Sequence, residues 1–176
     1  LNIISLHSYD EVKLVLITSP KQVYNFDDFK NVPHIWSNDK KVRFFATNPD
    51  EVHYIFNIID EMIKEREESQ DRSGTPIPHY VVIVTEPNLI EKEALLRYMN
   101  DSENQVGITT LFAYGDITKL PKSCKTIIQS DDTRTGYYIK NKNANRFIPF
   151  TLDDVEMSRI HSFANELSRL PIKRDS

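Results

Sequence analysis

Five histidines, three pairs of adjacent aspartates and one cysteine are the side chains that could ligate a metal or move a proton in this 176-residue chain. His7, His34, His53, His79 and His161 show none of the spacings that bring two imidazoles to one face, so no metal centre is expected of them. Asp27-Asp28, Asp131-Asp132 and Asp153-Asp154 read as turns or helix starts, where a short carboxylate accepts from backbone N–H groups. Cys124 cannot form an internal disulfide or build a cysteine cluster, and it reads as a half-buried bystander. No Gly-x-x-x-x-Gly-Lys-Ser/Thr loop occurs anywhere in the chain, so a phosphate cradle of that kind is missing from it.

The elements that must position these groups follow from hydrophobic pattern. Val12 to Ile17 is a β-rich run bounded by Asp10 and Ser19-Pro20, and it predicts a buried strand. Tyr24 to Lys30 suits a short helical turn, and Val32-Pro33 demands an extended connection. Trp36 is expected to anchor that connection onto the sheet. Val42 to Ala46 reads as a second strand. A helix then opens with Asn48 as cap, Pro49 in the first turn, and Asp50 and Glu51 complementing the positive end of the dipole. Val52, Ile55, Phe56, Ile59, Met62 and Ile63 recur at three- and four-residue steps, giving it one apolar face as far as about Arg66. Residues 67–78 read as a loop and Tyr80 to Val84 as a central parallel strand. Ile90 to Met99 reads as a helix, and Gly107 to Ala113 as another buried strand. Thr126 to Gln129 and Gly136 to Ile139 suit a hairpin, and Thr151 caps a last helix ended by Pro171. Strands alternating with helices imply βαβ units and a mostly parallel sheet.

Composition narrows the class. With 39% apolar and 27% charged residues the chain has the makings of one domain with a real core. No stretch reaches the roughly 18 apolar residues of a membrane span. Opening at Leu1 without an initiator methionine, the chain reads as a piece of something longer. A net charge of −4 argues against nucleic acid as a partner, because such binding needs many cations to neutralise phosphates. Between Asn48 and Glu103 there are 13 acidic and 5 basic residues, whereas Lys119 to Arg146 holds 7 basic and 2 acidic. Two solvated faces account for that asymmetry more simply than a docking face does.

The order of short motifs adds a resemblance. Leu16-Ile17-Thr18-Ser19-Pro20-Lys21, then Pro33-His34, then a helix reaching Glu61-Met62 and Arg66, then His79 to Glu86, then Gly107 to Asp116 resemble five successive landmarks of FtsK/SpoIIIE-type ATPases. Each is weak alone, but together and in order they cover most of residues 7–116. Within that family His7 to Leu14 and Val42 to Thr47 are most similar to the first, degenerate ATPase-like module of the EssC/YukB membrane ATPases of type VII secretion.

The resemblance implies an α/β fold, a three-layer RecA-like (P-loop NTPase type) and mostly parallel sheet with helices on both faces. It implies one module over residues 1–176, truncated on its N-terminal side, with the phosphate loop upstream of Leu1. Glu86 falls on the Walker B catalytic carboxylate, in a vestigial role, and Thr85 on the metal-holding aspartate. Gly115 matches the sensor glutamine, and Thr18 or Ser19 an aspartate that follows the first strand. The module is therefore expected to be structural or regulatory, with no cofactor of its own and ATP with Mg²⁺ in the parent or only weakly here. A competent motor domain completed from upstream is the alternative. Implied partners are adjacent ATPase modules of the same chain, other secretion-system components and a homo-oligomer of the full protein. The parent would sit on the cytoplasmic side of the cell membrane. Glu86 equally suits a solvated carboxylate at a strand end.

Overall fold

Apart from Lys13, the run Val12-Lys13-Leu14-Val15-Leu16-Ile17 offers no polar face to solvent, the pattern of a strand covered on both sides. In the computed structural model, which describes residues 6–69, 74–124, 127, 135–136 and 150–151, this run is strand β1, Val12–Ile17. Strand β2 is Phe45–Ala46, β3 is His79–Val84 and β4 is Ile108–Phe112. They form one all-parallel sheet in the order β2-β1-β3-β4. Apart from it, β5 (Thr135–Gly136) and β6 (Phe150–Thr151) pair antiparallel.

Helix α1 spans Pro49–Glu68 and starts as its sequence dictates. The Asn48 side chain accepts from the Glu51 N–H at 3.0 Å, while the Glu51 carboxylate reaches back to the Thr47 N–H at 2.8 Å. This is a capping box displaced by one residue. Val52, Ile55, Phe56, Ile59 and Ile63 are all buried and join Val15, Ile17, Tyr80, Val82 and Val84 in the main core. Each such side chain contributes roughly 1.5–3 kcal/mol relative to exposure. On the opposite face Val12, Leu14 and Val81 are covered by Val32 and Phe29, from the end of a 3₁₀ stretch at Val23–Asn31. Trp36 donates its indole N–H to the Lys30 carbonyl and packs on the core, which ties the connection down.

Arg66 closes the far end of α1. Its guanidinium donates to the Val106 and Pro78 carbonyls at 2.8 and 2.7 Å and lies 5.4 Å from the Tyr80 ring centre. One side chain thereby holds the lead-ins to β3 and β4. Tyr80 in turn donates its hydroxyl to the Met62 sulfur at 2.8 Å. Asp60, also on α1, is buried between Arg97 at 2.7 Å and Lys64 at 2.8 Å.

Three expectations need correction. The strand expected over Val42 to Ala46 shrinks to two residues, because Arg43 bridges antiparallel to Trp36 and the Phe44 N–H donates to the Ile35 carbonyl before the chain joins β1. The helix expected over Ile90 to Met99 reduces to α2, Leu96–Met99. Ahead of it, short turns from Pro87 to Leu96 are set by Ile90 and Leu95, whose burial five residues apart does not fit a helical stripe. The strand expected to be buried over Gly107 to Ala113 leaves Thr109 and Leu111 exposed, because β4 is the edge of the described sheet. Gly136 pairs with Phe150 through β5 and β6, and the hairpin expected between Thr126 to Gln129 and Gly136 to Ile139 falls mostly outside the described residues. Thr151 ends β6, and the final helix expected after it also lies outside them, as do residues 1–5.

Gly107 has φ +85°, and a Cβ there would lie 2.9 Å from Arg66 Nη1 and 3.1 Å from Pro76 Cβ. Two losses in urea midpoint are therefore expected, with little change in slope. Arg66→Met should cost about 2–4 kcal/mol through two unpaired carbonyls, and Gly107→Ala more than about 1 kcal/mol through backbone strain.

A cleft at the carboxyl ends of the strands

Because the strands run in one direction, the segments leaving β1, β3 and β4 emerge at one edge of the sheet, where open α/β folds bind ligands. Ser19, Lys21 and Gln22 follow β1, Thr85, Glu86 and Pro87 follow β3, and Tyr114, Gly115, Asp116 and Lys119 follow β4. Together they line a cleft of about 290 Å³. The structure thus brings Thr85, Glu86 and Gly115 to one place, with β3 an inner strand.

Thr85 is committed inward. Its N–H donates to the Ile17 carbonyl at 3.0 Å, and its hydroxyl donates to that of Thr18 at 2.9 Å. Thr18 is fully buried. A hydroxyl that turns its proton to a neighbour keeps its lone pairs but is neutral, so it brings no charge to hold a cation. Asp116 is also engaged, accepting from the Thr118 N–H at 2.9 Å and hydroxyl at 2.7 Å, which holds its carboxyl below the usual range. Glu86 is half-buried and, among the described residues, pairs with no cation; Lys21 and Lys119 likewise pair with no carboxylate. Burial pushes the Tyr114 phenol up to about 12, with Cys124 and Glu86 adding to the shift, so it stays a neutral donor in the cleft.

Gly115 is exposed, and a Cβ built on it would meet nothing within 4 Å. Packing does not require glycine there, so the missing side chain is a chemical difference, not a steric one. Thr18 stood among the residues read from the motifs, but its bond to Thr85 did not. Lys21, Tyr114 and Lys119 were missed as cleft residues; their signal was position, directly after each strand end.

The histidines do not converge on the cleft. His53 on α1 meets Glu93 at 3.3 Å, and His79 meets the Thr109 hydroxyl at 2.8 Å. His34 lies against the His7 carbonyl at 2.9 Å, and His161 is outside the described residues. No group of three His, Cys, Asp or Glu able to hold a metal ion occurs among the described residues, and none of their helices is long and apolar enough to cross a membrane.

With that geometry in hand, the likeness to known proteins can be placed. The ESX secretion system protein EccC of Geobacillus thermodenitrificans is 28% identical to this chain over 166 residues, which is 93% of the chain and 11% of the relative. The type VII secretion system protein EssC of Staphylococcus aureus (strain NCTC 8325) is 27% identical over 165 residues, again 11% of its own length. The chain is similar to EccC and EssC. It spans about a tenth of either, and no family model matches it. Among solved structures, EssC ATPases 2 and 3 from Geobacillus thermodenitrificans superpose with a TM-score of 0.65 over 95% of this chain and 39% of that one, at 11% identity. The fold is therefore α/β and RecA-like, the fold of those ATPase modules.

The hydroxyl pair can be tested by substitution. Thr18→Val and Thr85→Val should each cost about 1 kcal/mol by leaving one buried hydroxyl alone, whereas the double variant should fall within about 0.5 kcal/mol of wild type. A double-mutant cycle in urea measures the coupling.

Proposed function

We propose that the chain is a degenerate ATPase-like module of a type VII secretion ATPase, one that keeps the RecA-like shape for stacking and coupling and does not itself hydrolyse nucleotide. The observation that carries this is the neutral hydroxyl of Thr85, turned inward to Thr18 at 2.9 Å, standing where the family resemblance places a cation-holding carboxylate. ATP with Mg²⁺ is what that resemblance implies for a competent site, and the described residues do not fit it. Holding Mg²⁺ against phosphates takes at least one well-placed carboxylate. Thr85 is neutral, Asp116 turns one carboxylate oxygen to Thr118, and Glu86 falls where the resemblance places the catalytic carboxylate, not the cation-holding one. Gly115 presents no side chain that could touch a phosphate.

In this reading the partners are the neighbouring ATPase modules of the same long chain, other components of the secretion system and copies of the full protein. The supporting facts are the likeness to EccC and EssC and the small share of those proteins that this chain spans. The parent would be held at the cytoplasmic face of the membrane by parts beyond this chain, and nucleic acid has no place among its partners.

A second reading, a competent nucleotide-binding module completed by residues upstream of Leu1, is favoured by one observation: Glu86 still lines the cleft. The two separate on one variant in the full-length protein. If the module is degenerate, Glu86→Gln should leave steady-state ATP turnover within about twofold of wild type. Loss of about 10²-fold or more, the scale expected when a group acting in the transition state is removed, would assign turnover to this module.

A further inference from the structure

Two buried nitrogens at the opposite end of β1 have no part in the cleft. Lys13 is 2% exposed and His34 5%, and neither Lys13 Nζ nor His34 Nδ1 meets a hydrogen-bond partner among the described residues. The His34 tautomer follows from its other nitrogen. Nε2 lies 2.9 Å from the His7 carbonyl oxygen, which can only accept, so Nε2 carries the proton and neutral His34 leaves Nδ1 bare. Lys13 Nζ sits 5.5 Å from the centre of the Tyr9 ring.

The neighbours supply little compensation. Burial disfavours a charge on either group; Asp10 favours the charged amine and the bond to the His7 carbonyl favours a charged His34, while the Lys13 and His7 side chains disfavour the latter. Glu11 is engaged with His7 Nδ1 at 3.7 Å and with the Ser8 N–H at 3.2 Å. Across the sheet Tyr80 pairs with Lys13 in register, but its hydroxyl is given to Met62. The site can keep one positive charge near Asp10, and a proton on His34 Nδ1 would find no acceptor among the described residues.

We propose that His34, with Lys13 buried at the same end of β1, is a proton-operated latch holding the His7–Glu11 turn: with His34 neutral the turn stays docked, and a proton on His34 Nδ1 adds a second buried cation whose new N–H has no acceptor among the described residues, and releases it. Burial lowers Lys13 from 10.5 to about 8 and His34 below 6.5. Both folded-state values are depressed, so the folded chain binds fewer protons than the unfolded one and loses stability as pH falls. The Lys13 share of that loss develops between pH 10.5 and about 8 and is complete below, whereas the His34 share begins near 6.5 and grows on further acidification. At neutral pH the amine holds the single proton and the latch is closed.

Histidine titration and amide exchange by NMR on this chain test the idea together. His34 should titrate below 6.5. As it does, exchange of the Glu11 and Val12 amides, which both donate to the Ser8 carbonyl, should accelerate about tenfold after correction for the intrinsic pH dependence. Lys13→Met should move the His34 midpoint upward and abolish the acceleration. Should that variant fail to fold, His34→Gln preserves a donor to the His7 carbonyl, takes up no proton, and should leave exchange flat across the same range. A His34 midpoint at or above 6.5 with Lys13 in place, or acceleration that persists in His34→Gln, would overturn the latch.

Discussion

The in-register pairing of β1 with β3, from Val12 opposite His79 to Ile17 opposite Val84, is the constraint on which both ends of the molecule depend. Side chains alternate along a strand, so a slip of one residue would send Val15 and Ile17 away from α1 and bring Leu14 and Leu16 toward it. The same register sets Thr18 beside Thr85 just past the last pair, and Lys13 beside Tyr80 near the first. Cleft and base are two consequences of one alignment.

That alignment is enforced from outside the sheet as much as within it. Arg66, at the close of a helix begun by Asn48, grips the carbonyls that precede β3 and β4, so the length of α1 measures out where those strands begin. The positive φ of Gly107 lets the chain pass close under the guanidinium, where a side chain would collide with it. The helix therefore acts as a spacer for the strand starts that its side chains hold. The Glu61-Met62 and Arg66 part of the motif series gains a structural meaning from this, since Met62 and Arg66 both act on Tyr80 or its surroundings.

How much was legible in the sequence follows from which forces are local. β1, α1 and β3 were legible because each carries its own signal: a continuous apolar run, a capped stripe at helical spacing, and a second apolar run. The Ile90 to Met99 stretch misled because its apolar residues anchor to the core one by one, and a pattern of anchors resembles a helix until burial is known. β4 misled because Thr109-Thr110-Leu111 does not state whether another strand covers it. In the cleft, motif order pointed to Thr85, Glu86 and Gly115, but nothing in a linear chain announces that two threonines 67 residues apart share a hydrogen bond. Lys13 was visible as one cation inside an apolar run, and only the fold shows that it and His34 are both buried without a partner for Nζ or Nδ1 among the described residues.

The two ends of β1 treat polar groups in opposite ways, and the contrast follows from how a parallel sheet is built. At the carboxyl ends, loops diverge and leave a cleft open to water, so Glu86, Lys21 and Lys119 keep their solvation and need no partners inside the protein. At the amino end of β1, the His7–Glu11 turn folds back, and its carbonyl at His7 takes the one proton His34 offers. Lys13 Nζ and His34 Nδ1 have lost water without meeting a partner among the described residues, so burial disfavours a charge on either. The polar chemistry most tightly bound to this fold therefore lies at the base of the sheet, away from the edge where ligands of such folds bind.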